Sequence, residues 1–180
     1  SVKIKVTVRA FCQNQVLCSE LLEVFPNAEF NEGGHRYQGR ELVDYLDDVD
    51  GAIVGLDPMT SDVIRNLPDL KVISKFGVGL DNVDVEFAKS QGKVIGWSGG
   101  VNRRSVAEEA IGFMLGLTRN LFQTSYQLKQ GFWNKNGGVQ LSGRTIGIVG
   151  CGFVGADLLK LLQPFGCKLL ICDILDKRAI

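Results

Sequence analysis

The sequence predicts an α/β protein: one parallel-sheet domain, then the opening of a second. Two observations carry this. Up to Trp97, short apolar runs bounded by turn residues alternate with stretches of helical spacing. Apolar strands separated by helices imply crossover connections and a parallel sheet covered on both faces. Residues 145–172 then repeat strand, helix and strand on their own.

The first strand is expected over Lys3–Ala10, and a helix over Asn14–Phe25 with Leu17, Leu21 and Val24 inward. A short strand at Ala28–Asn31 precedes a helix at Arg40–Leu46 and a buried strand at Ala52–Val54. Thr60 or Ser61 can cap a helix that must stop before Pro68, because proline cannot continue it. Val72–Ser74 is the fourth strand. Asp84 can cap a helix to Gln91, which Gly92 ends in a left-handed turn. Val94–Trp97 is the fifth strand. Five such units point to a flavodoxin-like sheet with strand order 2-1-3-4-5, whose ligands sit beyond the carboxyl ends of the strands. The turns after strands three and four, at Gly55 and at Lys75–Gly79, are therefore the ones to watch.

Residues 98–102 contain Gly99-Gly100 and mark the boundary, giving domains at 1–99 and 100–180. A long helix follows, with Ser105-Val106-Ala107-Glu108 as its capping box. Its centre, Ala110–Leu117, is apolar on all sides, which predicts burial on more than one face, by domain packing and a homodimer interface. A second helix, 121–130, ends at Gly131.

Composition narrows the function. Lys+Arg and Asp+Glu are both 20, so no basic footprint for nucleic acid is present. The apolar run is too short to span a bilayer. The 5 cysteines are odd in number and lack Cys-x-x-Cys spacing, so reduced, buried thiols in a cytoplasmic protein are expected, without a disulfide framework or a metal site.

The strongest chemistry lies at 145–173. The strand Thr145–Val149 runs into Gly150-Cys151-Gly152-Phe153-Val154-Gly155, then a helix over Ala156–Leu162 stopped by Pro164 and Gly166, then a strand, Lys168–Cys172, closed by Asp173. This is the G-x-G-x-x-G pattern that opens a Rossmann dinucleotide-binding fold. Gly150 permits the tight turn, Gly152 leaves room for a diphosphate, and Gly155 lets helix and strand pack closely. Free N–H groups at the helix start attract the phosphates. Asp173, 18 positions after Gly155 where about 20 are expected, would accept hydrogen bonds from the adenosine ribose and repel a 2′-phosphate, which favours NAD over NADP.

Three segments resemble motifs of the D-isomer-specific 2-hydroxyacid dehydrogenases: Lys75–Asp84, Asn102–Glu109 and Leu141–Gly152, in family order and spacing. Among the branches, the likeness is to D-3-phosphoglycerate dehydrogenases. The resemblance implies hydride transfer between a D-2-hydroxy acid, 3-phosphoglycerate being one candidate, and NAD. It implies that the backbone of Gly77, Val78 and Gly79 holds the substrate carboxylate and that Val78 also borders the nicotinamide. Phe153 and Val154 then touch the diphosphate and Asp173 the ribose. Two positions depart from the family. Phe153 stands where Arg is frequent, so the contact there rests on backbone N–H. Gly55 stands where phosphoglycerate-specific members often carry Arg, leaving Arg103 or Arg104 as alternative phosphate ligands. The family's catalytic His, Glu and Arg have no counterpart in these 180 residues. The lone histidine, His35, matches no catalytic position. The chain is therefore expected to be a piece of a protein of about 300 residues, inactive by itself. The alternative is a non-catalytic, NAD-sensing corepressor on the same scaffold. A flavodoxin-like FMN module is disfavoured, because Ala10–Asn14 lacks a glycine-rich phosphate loop.

Overall fold

The computed structural model describes residues 2–176. The chain divides into two units, one ending at Gly99 and one beginning at Gly100. The last four residues of the second predicted domain lie outside the described residues.

The first unit contains β1 (Ile4–Val6), α1 (Arg9–Cys12), α2 (Gln15–Val24), β2 (Glu29–Phe30), α3 (Gly39–Tyr45), β3 (Gly51–Val54), α4 (Ser61–Arg65), β4 (Val72–Lys75), α5 (Val85–Ser90) and β5 (Val94–Gly96). The strands form one parallel sheet in the order β2-β1-β3-β4-β5. That is the flavodoxin-like order expected from the alternation of strands and helices. Its core is made by Leu42, Leu46, Val54, Met59, Ile64 and Ile73, all buried.

Several boundaries differ from expectation. β1 stops at Val6, short of the expected Ala10, and Ala10 lies in α1 instead. Asn14 is the N-cap of α2, its side chain accepting from Val16 N and Leu17 N. Val24, expected inward, is exposed, so α2 lies on the surface with only Leu17, Cys18 and Leu21 half-buried. Thr60 and Asp84 cap α4 and α5 through their side chains, as their residue types predict. β5 ends at Gly96, which leaves Trp97 outside the strand.

The second unit contains α6 (Arg103–Thr118), α7 (Leu121–Lys129), β6 (Thr145–Val149), α8 (Phe153–Leu162), a 3₁₀ turn (Gln163–Phe165) and β7 (Lys168–Cys172). β6 and β7 pair in parallel through all five positions. Their core joins Ala107, Leu141, Ile148, Cys151, Leu158 and Leu162. The expected capping box is not formed. α6 begins at Arg103, two residues before Ser105, and its N-cap Asn102 makes no side-chain cap bond. Burial around α6 is also narrower than expected: only Ala107 and Gly116 are buried, while Phe113 and Leu117 are exposed. The thiols depart from expectation too. Cys151 is buried and Cys172 exposed, with the other three between; all five are free.

Candidate functional site

Two turns gather the residues singled out from the sequence, one in each unit. The first follows β4. Phe76 N still bonds Val54 O, but beyond it the amides of Gly77, Val78, Gly79 and Leu80 have no acceptor among the described residues. Gly77 has φ +137°, which only glycine adopts without strain. A run of unpaired N–H groups in such a turn is a concave receptor for an anion.

What holds this turn is a polar network that sequence reading did not find. The Lys75 side chain runs 3.5 Å from where a Cβ on Gly77 would stand. Its ammonium donates to Gly55 O, and to Asn82 Oδ1 at 2.5 Å. Asn82 Nδ2 donates to Gly55 O at 3.0 Å and to Asp57 O at 2.6 Å. Asn82 O accepts from Met59 N at 2.8 Å, and the Asp57 carboxylate accepts from Thr7 Oγ1 at 2.5 Å and Gly55 N at 3.1 Å. The loops after β3 and β4 are thus tied through one amide side chain. Burial pushes the Lys75 ammonium below its usual value, against the opposing pull of Asp81 and Asp57. Across the same turn, Trp97 Nε1 donates to Val78 O at 3.0 Å. A signal for the network existed: a lysine ending an apolar strand needs acceptors. Its partners were not readable from spacing.

The second turn joins β6 to α8. Gly150 has φ +88° and its N–H continues the ladder to Cys172 O at 2.8 Å. A Cβ on Gly155 would stand 2.3 Å from Gly150 O, so helix and strand meet as closely as backbone allows. Gly152 faces open space. α8 starts at Phe153, three residues earlier than expected, so Phe153 and Val154 form its first turn. The amides of Gly152, Phe153 and Val154 take no acceptor among the described residues. A diphosphate fits this arrangement: open room at Gly152, unpaired donors and the positive helix end. Asp173 lies against the same turn. Its Oδ2 accepts from Cys151 N at 2.6 Å and its Oδ1 from Leu175 N at 2.9 Å. A carboxylate is the acceptor type that sugar hydroxyls donate to.

The Phe153 ring is 59% exposed and packs on the boundary segment: a Cβ on Gly100 would stand 2.5 Å from its Cγ. Only its N–H remains for an anion. Of the two alternative phosphate ligands, Arg104 is already engaged. Its Nη2 donates to Asp157 Oδ1 at 3.0 Å, and its Nε lies 3.0 Å from Oδ2. Arg103 lines a recess beside α8 with Lys160. His35 is exposed, with Nε2 3.2 Å from Glu41. No group of side chains suited to a metal ion occurs among the described residues, and no helix there is long and apolar enough to cross a membrane.

Residues 10–157 match the catalytic domain of the D-isomer-specific 2-hydroxyacid dehydrogenases. The hydroxypyruvate reductase of Thermotoga maritima is 34% identical over 164 residues, which are 89% of this chain and 54% of that protein. The D-3-phosphoglycerate dehydrogenase of Methanocaldococcus jannaschii is 36% identical over 136 residues, 74% of this chain and 26% of that protein. The NAD+-bound 3-phosphoglycerate dehydrogenase of Entamoeba histolytica superposes with a TM-score of 0.75 at 26% identity, covering 99% of this chain and 56% of that one. The chain thus spans about half of the first relative's length and about a quarter of the second's. With a family match across most of its residues, the chain belongs to the D-isomer-specific 2-hydroxyacid dehydrogenases.

Proposed function

We propose that this chain supplies the substrate-binding domain, residues 1–99, and the first part of the NAD-binding domain, from residue 100, of an oxidoreductase that moves a hydride between a D-2-hydroxy acid and NAD. The observation that carries this is the β6–α8 turn: a glycine-lined, amide-rich helix start with a carboxylate held against it. Family membership supports it, as does an NAD+-bound structural neighbour.

In this reading NAD, when bound, supplies the acceptor for the hydride. Gly152, Phe153 and Val154 hold its diphosphate through backbone N–H, with Gly150 and Gly155 shaping the turn, and Asp173 takes the adenosine ribose. Gly77, Val78 and Gly79 bind the 2-hydroxy or 2-oxo acid by its carboxylate, and Val78 borders the nicotinamide. Gly55 in place of a cation favours a small hydroxy acid over 3-phosphoglycerate. Acid–base chemistry belongs to residues other than these, so the chain by itself gives no turnover. The exposed Phe113, Leu117, Leu121 and Phe122 of α6 and α7 form an apolar surface suited to a second copy of the chain. Light scattering should then report twice 19.7 kDa; a monomer at micromolar concentration contradicts the pairing. The free thiols suit a cytoplasmic protein.

Calorimetric titration with NAD tests the central reading. Saturable binding is expected, weakened roughly ten- to hundredfold by Asp173→Ala, the range for losing hydrogen bonds to a charged group. Equal binding by the variant would remove Asp173 from the site. A hydroxy-acid-dependent rise in NADH absorbance from the pure chain would contradict the absence of turnover.

A further inference from the structure

We propose that Trp97 is a positioning residue for the substrate carboxylate: its indole N–H fixes the Val78 carbonyl and thereby aims the Gly79 amide into the anion receptor. The inference rests on the reading of the Gly77–Gly79 turn as the carboxylate site.

The geometry supplies the link. Among the described residues every peptide bond is trans, including the one joining Val78 to Gly79. In a planar trans peptide the C=O of one residue and the N–H of the next point in opposite directions. Trp97 Nε1 holds the Val78 oxygen from one side at 3.0 Å. The Gly79 N–H is therefore directed to the other side, where it has no acceptor of its own. Among the described residues no other hydrogen bond holds that peptide plane. The next carbonyl–amide constraints are Val83 N on Leu80 O on one side and Phe76 N on Val54 O on the other. Between them lie two glycines, the residues that resist rotation least. Rotation of the 78–79 peptide would put a carbonyl oxygen where the amide stood, replacing attraction for a carboxylate with repulsion.

Trp97 is suited to this by its place. β5 ends at Gly96, so Trp97 leaves the strand at the carboxyl edge of the sheet beside the β4 turn. It is 46% exposed, so it adds little to the core, and among the described residues the bond to Val78 O is the one its side chain makes. The Lys75–Asn82 network anchors the turn from below through Gly55, and Trp97 holds a peptide plane that this network does not reach.

The test uses the whole chain, isotopically labelled, titrated with oxamate, a small unreactive 2-oxo acid amide bearing one carboxylate. In the unmodified protein oxamate should shift the Val78 and Gly79 amide resonances and the Trp97 indole N–H together. Trp97→Phe, which keeps the ring and loses the donor, should weaken binding about tenfold, the upper range for one hydrogen bond, while the amide spectrum elsewhere is unchanged. Trp97→His, which restores an N–H, should recover part of the affinity; a loss that came only from packing would not be recovered by a smaller ring. Equal oxamate affinity in the unmodified protein and Trp97→Phe overturns the role of Trp97 alone. Absence of any shift at Val78 and Gly79 in the unmodified protein overturns the carboxylate site, and this inference with it. Should Trp97→Phe lose its native spectrum, the indole N–H of the unmodified protein decides: it must move with oxamate at the same midpoint as Gly79.

Discussion

Asn82→Ala should destabilise the first unit by about 2–3 kcal/mol, the range for removing several part-buried hydrogen bonds at once. The side chain accepts from Lys75 and donates to two carbonyls of the β3 loop. Its deletion leaves the Lys75 ammonium with Gly55 O alone and strips Asp57 O of a 2.6 Å donor. Asn82→Asp keeps the acceptor for Lys75 but loses both donations, so it should fall between the two. The effect depends on pH with a definite sign. Because burial holds Lys75 below its usual 10.5 in the folded state, the unfolded chain binds the proton more tightly. Lys75 therefore lowers stability most where it is fully protonated, and stability rises as pH climbs from its depressed folded value toward 10.5. Asn82→Ala removes a hydrogen bond to the charged form of Lys75, so it should lower the folded value further and widen that window. Urea unfolding from pH 7 upward measures both. A variant as stable as the parent, with the same pH slope, would show that the network binds the two loops without contributing to folding.

Gly155→Val should abolish dinucleotide binding and destabilise the second unit by about 3 kcal/mol, the upper range for forced overpacking. The reason is space: the added Cβ stands 2.3 Å from Gly150 O and 3.2 Å from its carbonyl carbon, and both are backbone atoms that no rotamer change can move aside. α8 must slide from β6 or the turn must open, and either displaces the amides of Gly152 and Phe153. Gly152→Ala provides the contrast. Nothing lies within 4 Å of its Cβ position, so folding should be almost unchanged while the room for a diphosphate shrinks. The pair separates fold from ligand: calorimetry with NAD should fail for both, and thermal unfolding should shift for Gly155→Val alone. Wild-type unfolding of Gly155→Val would refute the steric account.

Much of this was legible because it follows from local chemistry. Apolar runs such as Gly51–Val54 have few alternatives to a buried strand, and Thr60 and Asp84 announced their caps by residue type. Five successive strand–helix units point to the flavodoxin-like order that the sheet has. What was illegible depends on distance in sequence. Thr7 reaches Asp57, Lys75 reaches Gly55, and Trp97 reaches Val78; no periodicity encodes those meetings. The capping box at Ser105 misled because Asn102 and Arg103 could already turn into the helix, and one start displaces another. The centre of α6 reads as buried on more than one face because it is apolar on all sides, yet composition does not say which neighbour covers a face.

The clasp between Asp173 and the Cys151 amide has a consequence for how quickly a ligand can be captured. It closes the turn during folding, from within the chain, so an incoming diphosphate meets donors already arranged and does not wait for the turn to close around it. The ordering entropy is thereby met before encounter. Capture should then proceed in a single kinetic phase, linear in ligand concentration, with selectivity expressed in how slowly the ligand leaves.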